Sequence, residues 1–426
     1  MTDTATPDRI KLTQAEVDLI CQKHDRLWQA RPGGARAVFS WMDLSGLDLR
    51  GRNLADADFT AACLIGTRMK GAKLDNATFF GADMQDVDLT EASLRRADMR
   101  GACLRGAELT GADMFEADLR EGTIAASDAK LGFRVIEAKK RSDTQAQGAN
   151  LSGANLQRSR LTGIVAIAAD FTDAVMKDCK LVRANLKQAS FKGADLSGAD
   201  LSGADLSGAD LSDAILVGVN ATMWRTDGAN MEGTLTDKSS SGEPVAALPA
   251  ADMLRVHAQW CETGGREGQP SVFDGVDLRT LDTIAGLNLT ALSARKAVFY
   301  GLDMQGVQLQ GAQLEGADLR SANLRRADLR GARLAGARLN SADLRDAQLG
   351  PLLLTADRLL SADLTGASLR SADLTGADLK RAVLVDADLS RSSMHGVQLR
   401  GADLSGARLE HIKGLSAQQI VAQSEA

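Results

Sequence analysis

Residues Gly193–Ser212 read GADLS-GADLS-GADLS-GADLS, four identical units of five. A period of five fits neither regular element. On an α-helix each unit would move the next Leu by about 140° around the axis, so the Leu residues would spray over every side. On a flat strand five is odd, and successive Leu residues would alternate between faces. All Leu side chains point the same way only if the chain turns once per unit. Ala and Leu, two apart on an extended segment, then both face inward, and the Ser-Gly between units makes the corner. Repeated turning closes a coil. Coils stack through backbone hydrogen bonds at about 4.8 Å.

Working outward, the same spacing runs from Leu44 through Leu49, Leu54, Phe59, Leu64, Met69, Leu74, Phe79, Met84 and Leu89 to Leu119 and Ile124. A second run goes from Leu151 through Phe171, Met176 and Phe191 to Leu216 and fades near Met231. A third begins near Leu289 and is read as unbroken from Phe299 to Leu409. Small residues such as Ala57, Ala62, Ala72 and Ala77 sit two before the central residue, and Asp or Asn commonly lies between. These units resemble the pentapeptide-repeat family over about three quarters of the chain. The resemblance implies an all-β solenoid, a right-handed quadrilateral β-helix with four units per coil. Phe59 and Phe79, and Phe171 and Phe191, are twenty apart, so each pair is expected to stack one coil above the other.

The chain has 426 residues, with 4% aromatic, one Tyr, 41 Gly and 6 Pro, which suits a thin core of small and aliphatic side chains. The runs divide it into a helical cap at 1–40, a first solenoid at 41–235, a linker and second cap at 236–285, a second solenoid at 286–413 and a capping helix at 414–426. The break between Ile124 and Leu151 spans 27 residues, one unit and 22 more. Segment 125–148 is therefore expected to leave the coil as a loop or short helix. Thr236–Val256, with DKSSSGEPVAALP inside it, reads as a linker.

Beyond the linker the pattern of the N-terminus returns. His24, Trp28, Gly33-Gly34, Val38-Phe39 and Asp43-Leu44 reappear as His257, Trp260, Gly264-Gly265, Val272-Phe273 and Asp277-Leu278, at offsets of 231 to 234. This is a tandem duplication of helical cap followed by solenoid. The His, Trp and Phe leader also resembles that of proteobacterial pentapeptide-repeat proteins. Caps have a physical purpose, because a solenoid end exposes unpaired backbone and an open core. Thr13–Glu16 and Ser416–Gln419 read as capping boxes. Pro249 is expected to start the second cap helix, and His24 and His257 are read as cap packing.

Little in the chain suggests catalysis. The four His form no cluster, and HExxH, CxxC, GxxxxGK[ST] and GxSxG are all missing from the sequence. Asp precedes the central residue in nearly every coil, which marks it as architecture that hydrogen-bonds the neighbouring corner. Square coils have flat sides, whereas a small-molecule site needs a concave one. The expectation is a non-enzyme with no cofactor and no metal. Met1–Lys11 lacks the apolar core of a signal peptide. There is no run of eighteen apolar residues, as a membrane-crossing helix requires. Cys63 and Cys103 would lie two coils apart, about 9–10 Å, beyond disulfide reach. The five Cys are read as free thiols of a cytoplasmic protein.

Function is then expected in faces and interruptions. Lys130, Phe133, Arg134, Lys139, Lys140 and Arg141 mark the inserted segment. On a twenty-residue coil Arg320, Lys380 and Arg400 would share one side with Tyr300 and Leu360, and Phe80, Arg100 and Arg120 would share one in the first solenoid. At Gly350–Leu354, Leu353 and Leu360 fall at outward positions, forming either an exposed apolar patch or a local bulge. The leading reading is a rigid scaffold of about eight and six coils that binds a protein, as monomer or homodimer, without direct nucleic-acid contact. The alternative is implied by the resemblance: some pentapeptide-repeat proteins mimic duplex DNA and bind DNA gyrase, and segment 125–148 would be the counterpart of their projecting loop. A mimic needs a continuous acidic stripe, whereas the net charge is only −6. Residues 286–413 carry 17 basic and 14 acidic side chains, a balance of +3.

Overall fold

The computed structural model describes residues 9–122, 143–237, 249–355 and 358–416, together with the backbone of 125–128 and 132–135. Why the repeat is written as it is becomes clear in one unit, Ala194–Gly198, by tracing its five N–H donors. Ala194 closes the corner onto the Phe191 carbonyl at 2.9 Å. Asp195 donates down to Ala174 on the previous coil at 2.9 Å. Leu196 and Gly198 donate up to Ile215 and Val217 on the next coil, both at 2.9 Å. The fifth donor, Ser197, finds no carbonyl and is accepted by the Asp195 carboxylate at 3.1 Å. Every donor is satisfied, as backbone that carries a core must be. The repeated Asp is therefore an acceptor before it is a charge. Asn fills the same role at Asn150, which accepts from Ser152 N–H at 3.0 Å.

Corners also explain the second residue after each central one. Ala62 N–H returns to the Phe59 carbonyl at 3.0 Å, with Ala61 between them at φ 53°. A positive φ at the third position of a four-residue turn is the type II requirement, which favours Gly and is paid for at corners such as Arg96 (φ 56°) and Glu116 (φ 59°).

The coils stack in parallel. One column of the first unit runs Val38, Asp58, Thr78, Asp98, Asp118, Arg160, Lys180, Asp200, Asn220, nine levels deep. One column of the second runs Val272, Ser293, Gln313, Arg333, Asp363, Val383, Asp403, seven levels deep. The core is the row of inward side chains, fully buried from Leu44 to Leu211 in the first unit and from Phe273 to Leu389 in the second. Its aromatic members stack as the twenty-residue spacing requires. Phe59 and Phe79 lie 4.8 Å apart at 3°, and Phe171 and Phe191 lie 4.9 Å apart at 5°.

The chain divides into two units, Met1–Asp237 and Lys238–Ala426. In the first, β1 (Ile10–Lys11) leads into α1 (Gln14–Trp28), and β1 pairs in parallel with β2 (Met42–Asp43). Thr13 and Glu16 form the capping box of α1, whose buried face is Val17, Cys21 and His24. β3 (Ala125–Asp128) and β4 (Gly132–Val135) form an antiparallel hairpin. The second unit opens with α2 (Ala250–Glu262), for which Pro249 is the N-cap. Its buried face includes Leu254 and His257. Midway along its stack β5 (Leu352–Thr355) and β6 (Arg358–Leu360) form a second antiparallel hairpin. The capping box expected at Ser416–Gln419 runs beyond the described residues.

Three boundaries differ from the sequence reading. Pairing in the second unit begins at Val272, because one unit there has six residues: Asp277 pairs with Val298, but Thr283 with Asp303. That extra residue hides the first coil from a search for fives. The first insert is a hairpin in place of the expected loop or helix, and it ends before residue 148. Cys103 pairs with Gln145, a step of 42 residues in place of 20, and Thr144 and Ala146 are already core. The third run is also interrupted, since Gln348 pairs with Asp378, a step of 30. The ten inserted residues equal two units, so the spacing of five passes through undisturbed.

Both caps use the Nδ1 of their histidine alike, while Nε2 of His24 lies 3.2 Å from the Trp28 indole nitrogen. The N–H of Ala37 donates to His24 Nδ1 at 3.0 Å, and that of Ser271 to His257 Nδ1 at 2.9 Å. With Nδ1 accepting, the neutral ring of His257 carries its proton on Nε2, 3.1 Å from the Thr290 carbonyl. Burial lowers the pKa of both rings. The two histidines pack and orient the caps, in keeping with the duplication.

Candidate interaction surfaces

The ten-residue insert rearranges the sides of the second unit. Residues twenty apart share a side only while coils are twenty long. Gly301 N–H bonds the Arg320 carbonyl, Ser321 that of Asn340, and Ser341 that of Arg370. The column is therefore Tyr300, Arg320, Asn340, Arg370. Lys380 and Arg400 continue from Gln310 and Arg330 half a coil away, on the opposite side. The expectation that Arg320, Lys380 and Arg400 share a side with Leu360 is thus corrected, for the physical reason that two extra units rotate the count by two corners. In the first unit the grouping holds from Phe80 to Arg120, and Arg100 lies over the Phe80 ring at 5.2 Å.

Charge on these sides is largely internal. Side chains at i and i+2 of an extended segment project together, so Asp-x-Arg forms a fork within one unit. Arg50 and Asp48 close to 2.6 Å, Arg100 and Asp98 to 2.7 Å, Arg120 and Asp118 to 2.7 Å, and Arg330 and Asp328 to 2.6 Å. Arg320 makes the same fork onto Asp318 at 2.5 Å, with its side chain only 1% exposed. It is a buried pair member, which the sequence reading placed on the surface. Lys380 pairs with Asp378 at 3.4 Å, while Arg400 is exposed. The Arg50 side chain and N–H hold Asp48 down to about 2. Lys177 and Lys187 reach Asp195 and Asp205 on the next coil, at 3.1 and 3.4 Å. This i, i+2 arithmetic was available in the sequence and would have revealed the pairs.

Where the corner and side meet beside the first insert, a depression of about 590 Å³ is lined by Arg96, Arg100, Arg158 and Arg160 with Asp98, Glu116 and Asp118. Arg95 and Arg158 lie over the Phe115 ring at 4.7 and 5.9 Å. Of the candidates in that insert, Phe133 and Arg134 fall in β4, opposite Ser127 and Ala126. Lys130, Lys139, Lys140 and Arg141 lie outside the described residues.

The second insert turns back along its own unit. An atom added at the Gly331 Cβ position would come within 2.9 Å of Leu352 Cβ and 3.1 Å of the Leu360 carbonyl oxygen. Leu352 and Leu360 are half-buried, whereas Leu353, Leu354 and Leu359 are 63%, 45% and 46% exposed. Leu353 is exposed, whereas the outward placement expected of Leu360 is corrected: the hairpin brings it down against the Gly331 corner. Leu354 and Leu359 were missed because their outward placement depends on the hairpin's pairing. Among the described residues no group of three His, Cys, Asp or Glu side chains is placed to hold a metal ion, and no helix is long and apolar enough to cross a membrane.

A family model for pentapeptide repeats matches in eight copies, at residues 35–71, 72–111, 82–121, 149–188, 179–218, 285–320, 317–350 and 372–410, more than half of the chain. No curated protein matches. Among solved structures the chain is similar to the pentapeptide repeat protein Rfr23 from the cyanobacterium Cyanothece 51142, with 29% identity, 33% of this chain and 91% of that one covered, and a TM-score of 0.24. It is also similar to HetL, involved in heterocyst differentiation regulation in Nostoc sp. strain PCC 7120, with 23% identity, 91% and 92% coverage and a TM-score of 0.15. A third is QnrB1, a plasmid-mediated fluoroquinolone resistance protein, with 19% identity, 48% and 94% coverage and a TM-score of 0.18. Repeat matches along the chain, together with twenty-residue coils that turn at every fifth residue, place it in the pentapeptide-repeat family, whose members fold as right-handed quadrilateral β-helices.

Proposed function

We propose that the protein is a non-catalytic scaffold that presents solenoid sides and two inserted hairpins to a protein partner. One observation carries this reading. Each insert leaves the coil and returns to it with the columns intact, at steps of 42 and 30 residues. A rigid frame that tolerates additions at its corners suits presentation of segments. The Lys130–Arg141 stretch in the first insert, and Leu353 in the second, are the candidate contacts. Lys380 and Arg400 are side-chain candidates on one side of the second unit, and Arg320 on the opposite side contributes through its pair with Asp318.

The topoisomerase reading meets a physical obstacle. A DNA mimic presents uncompensated acid along its length, and the Asp ladder here is bonded to corner N–H groups and to arginines two residues on. The test uses three baits: the full chain, a chain lacking Gly122–Asp143, and a chain lacking Pro351–Leu360. Each deletion restores a twenty-residue coil, so neither should unfold the frame. A protein retained by the full chain and lost with one deletion supports the scaffold. Purified DNA gyrase is offered to the same baits. Retention by the full chain, abolished on removing Gly122–Asp143, would replace the scaffold with the mimic. Equal retention of any partner by all three baits would move the contact to the solenoid sides.

A further inference from the structure

The β5–β6 hairpin gives the second unit a surface unlike its others. The exposed large apolar side chains described in that unit are Leu353, Leu354 and Leu359 on the hairpin, and Val272 in its first coil. The hairpin packs on the corner at Gly331 through Leu352 and Leu360 and leaves the other three leucines exposed. The exposed patch is all leucine, whereas protein-binding hot spots favour Trp, Tyr and Arg seated in pockets. An exposed aliphatic patch held on a corner can sink into a layer of lipid.

The charge around the patch points the same way. Arg358 belongs to β6 itself and is exposed. Arg330 and Arg333 flank Gly331, beneath the hairpin, with side chains 40% and 57% exposed. Lys380, one coil beyond the point where the hairpin leaves, is 44% exposed. Their acidic partners lie deeper: Asp328 is 14% exposed, Glu315 22% and Asp378 33%. In each of these three pairs, among the described residues, the cation is more exposed than its acidic partner. Such an arrangement complements an interface with aliphatic chains inside and anionic headgroups outside.

We propose that the β5–β6 hairpin is a peripheral docking site for an anionic lipid surface. Leu353, Leu354 and Leu359 enter the headgroup–acyl boundary, and Arg358, Arg333 and Lys380 meet the headgroup phosphates. The site shares Leu353 and Lys380 with the candidate protein contacts, and its test is read separately from that of the scaffold.

The test is co-flotation of the full-length protein with vesicles of phosphatidylcholine alone, or of phosphatidylcholine mixed with phosphatidylglycerol. Flotation is expected with the mixed vesicles only, and it should weaken as salt is raised. The double variant Leu353→Ser, Leu359→Ser should partition about tenfold less or weaker still, and Arg358→Gln about fivefold less. Both variants change exposed side chains, and circular dichroism should match the parent. The chain lacking Pro351–Leu360 is the second control and should not float. No flotation with the anionic vesicles overturns the proposal, as does flotation that survives the double variant or the deletion. Loss of a captured protein by the double variant, with vesicle binding unchanged, would make the patch a protein interface and also sink the idea.

Discussion

The residue that repays closest reading is the Asp before each central Leu. Its oxygen replaces a missing carbonyl for one N–H per unit, as Asp200 does for Ser202 at 3.1 Å. Asn supplies the same oxygen and Ala does not. Asp200→Asn should therefore lie within about 0.5 kcal/mol of the parent and Asp200→Ala should cost about 1 kcal/mol, measured by denaturant unfolding. Acid should find these groups in a definite order. His24 and His257 have pKa values lowered from 6.5 by burial, so the unfolded chain takes up their protons first. Stability should fall as pH drops below about 6.5, level off once the folded rings titrate, and lose this slope when both are replaced by Gln. A second loss belongs to carboxylates such as Asp200 and Asp205, lowered from 3.8 by the Ser202 and Ser207 hydroxyls. Their contribution is complete above 3.8 and disappears as pH falls through their folded values. Thermal unfolding monitored across about pH 3 to 8 separates the two windows.

At the scale of the element, the corner and the hairpin compete for the same space. Gly331 and Gly336 have nearly equal backbone, φ 66° and 64°, but a Cβ at Gly336 meets nothing within 4 Å. Gly336→Ala should show the bare cost of a left-handed residue, about 1 kcal/mol, and Gly331→Ala about 1–3 kcal/mol because Leu352 and Leu360 must also move. If the two variants unfold alike, the hairpin does not rest on that corner. The caps are legible elements for a different reason. Thr13 and Glu16 announce α1 by chemistry local to four residues, and Pro249 does the same for α2. The hairpins announce nothing comparable. Their strands are three or four residues long, and their pairing is decided by where the coil releases and recovers the chain.

For the whole molecule, each unit has its own cap and its own continuous core. Residues 9–237 and 249–416, expressed separately, should each keep the β-sheet circular dichroism of the full chain. Loss of structure in either would show that its core is incomplete without the other. Solenoids unfold as neighbour-coupled coils, so each unit is expected to melt cooperatively over its own stack. Partner capture and vesicle flotation belong to this scale too, since both depend on a long frame holding short segments in fixed positions.

The sequence by itself determined the coil. Period five, the Ala-Asp-Leu-Ser-Gly order and the Phe pairs at twenty required inward Leu, a corner at each unit and stacked rings, because these consequences need only neighbours in the chain and the next coil. The duplication of cap and solenoid was legible for the same reason. Which sides carry which charges was decided only by tertiary structure. Ten residues inserted after Gly350 leave the spacing of five unchanged and still carry Lys380 and Arg400 to the side opposite Arg320. A count modulo five is blind to that rotation. The outward turn of Leu354 and Leu359, the burial of Arg320 and the early return of the chain at Thr144 are likewise settled by contacts between residues distant in sequence, which local periodicity does not encode.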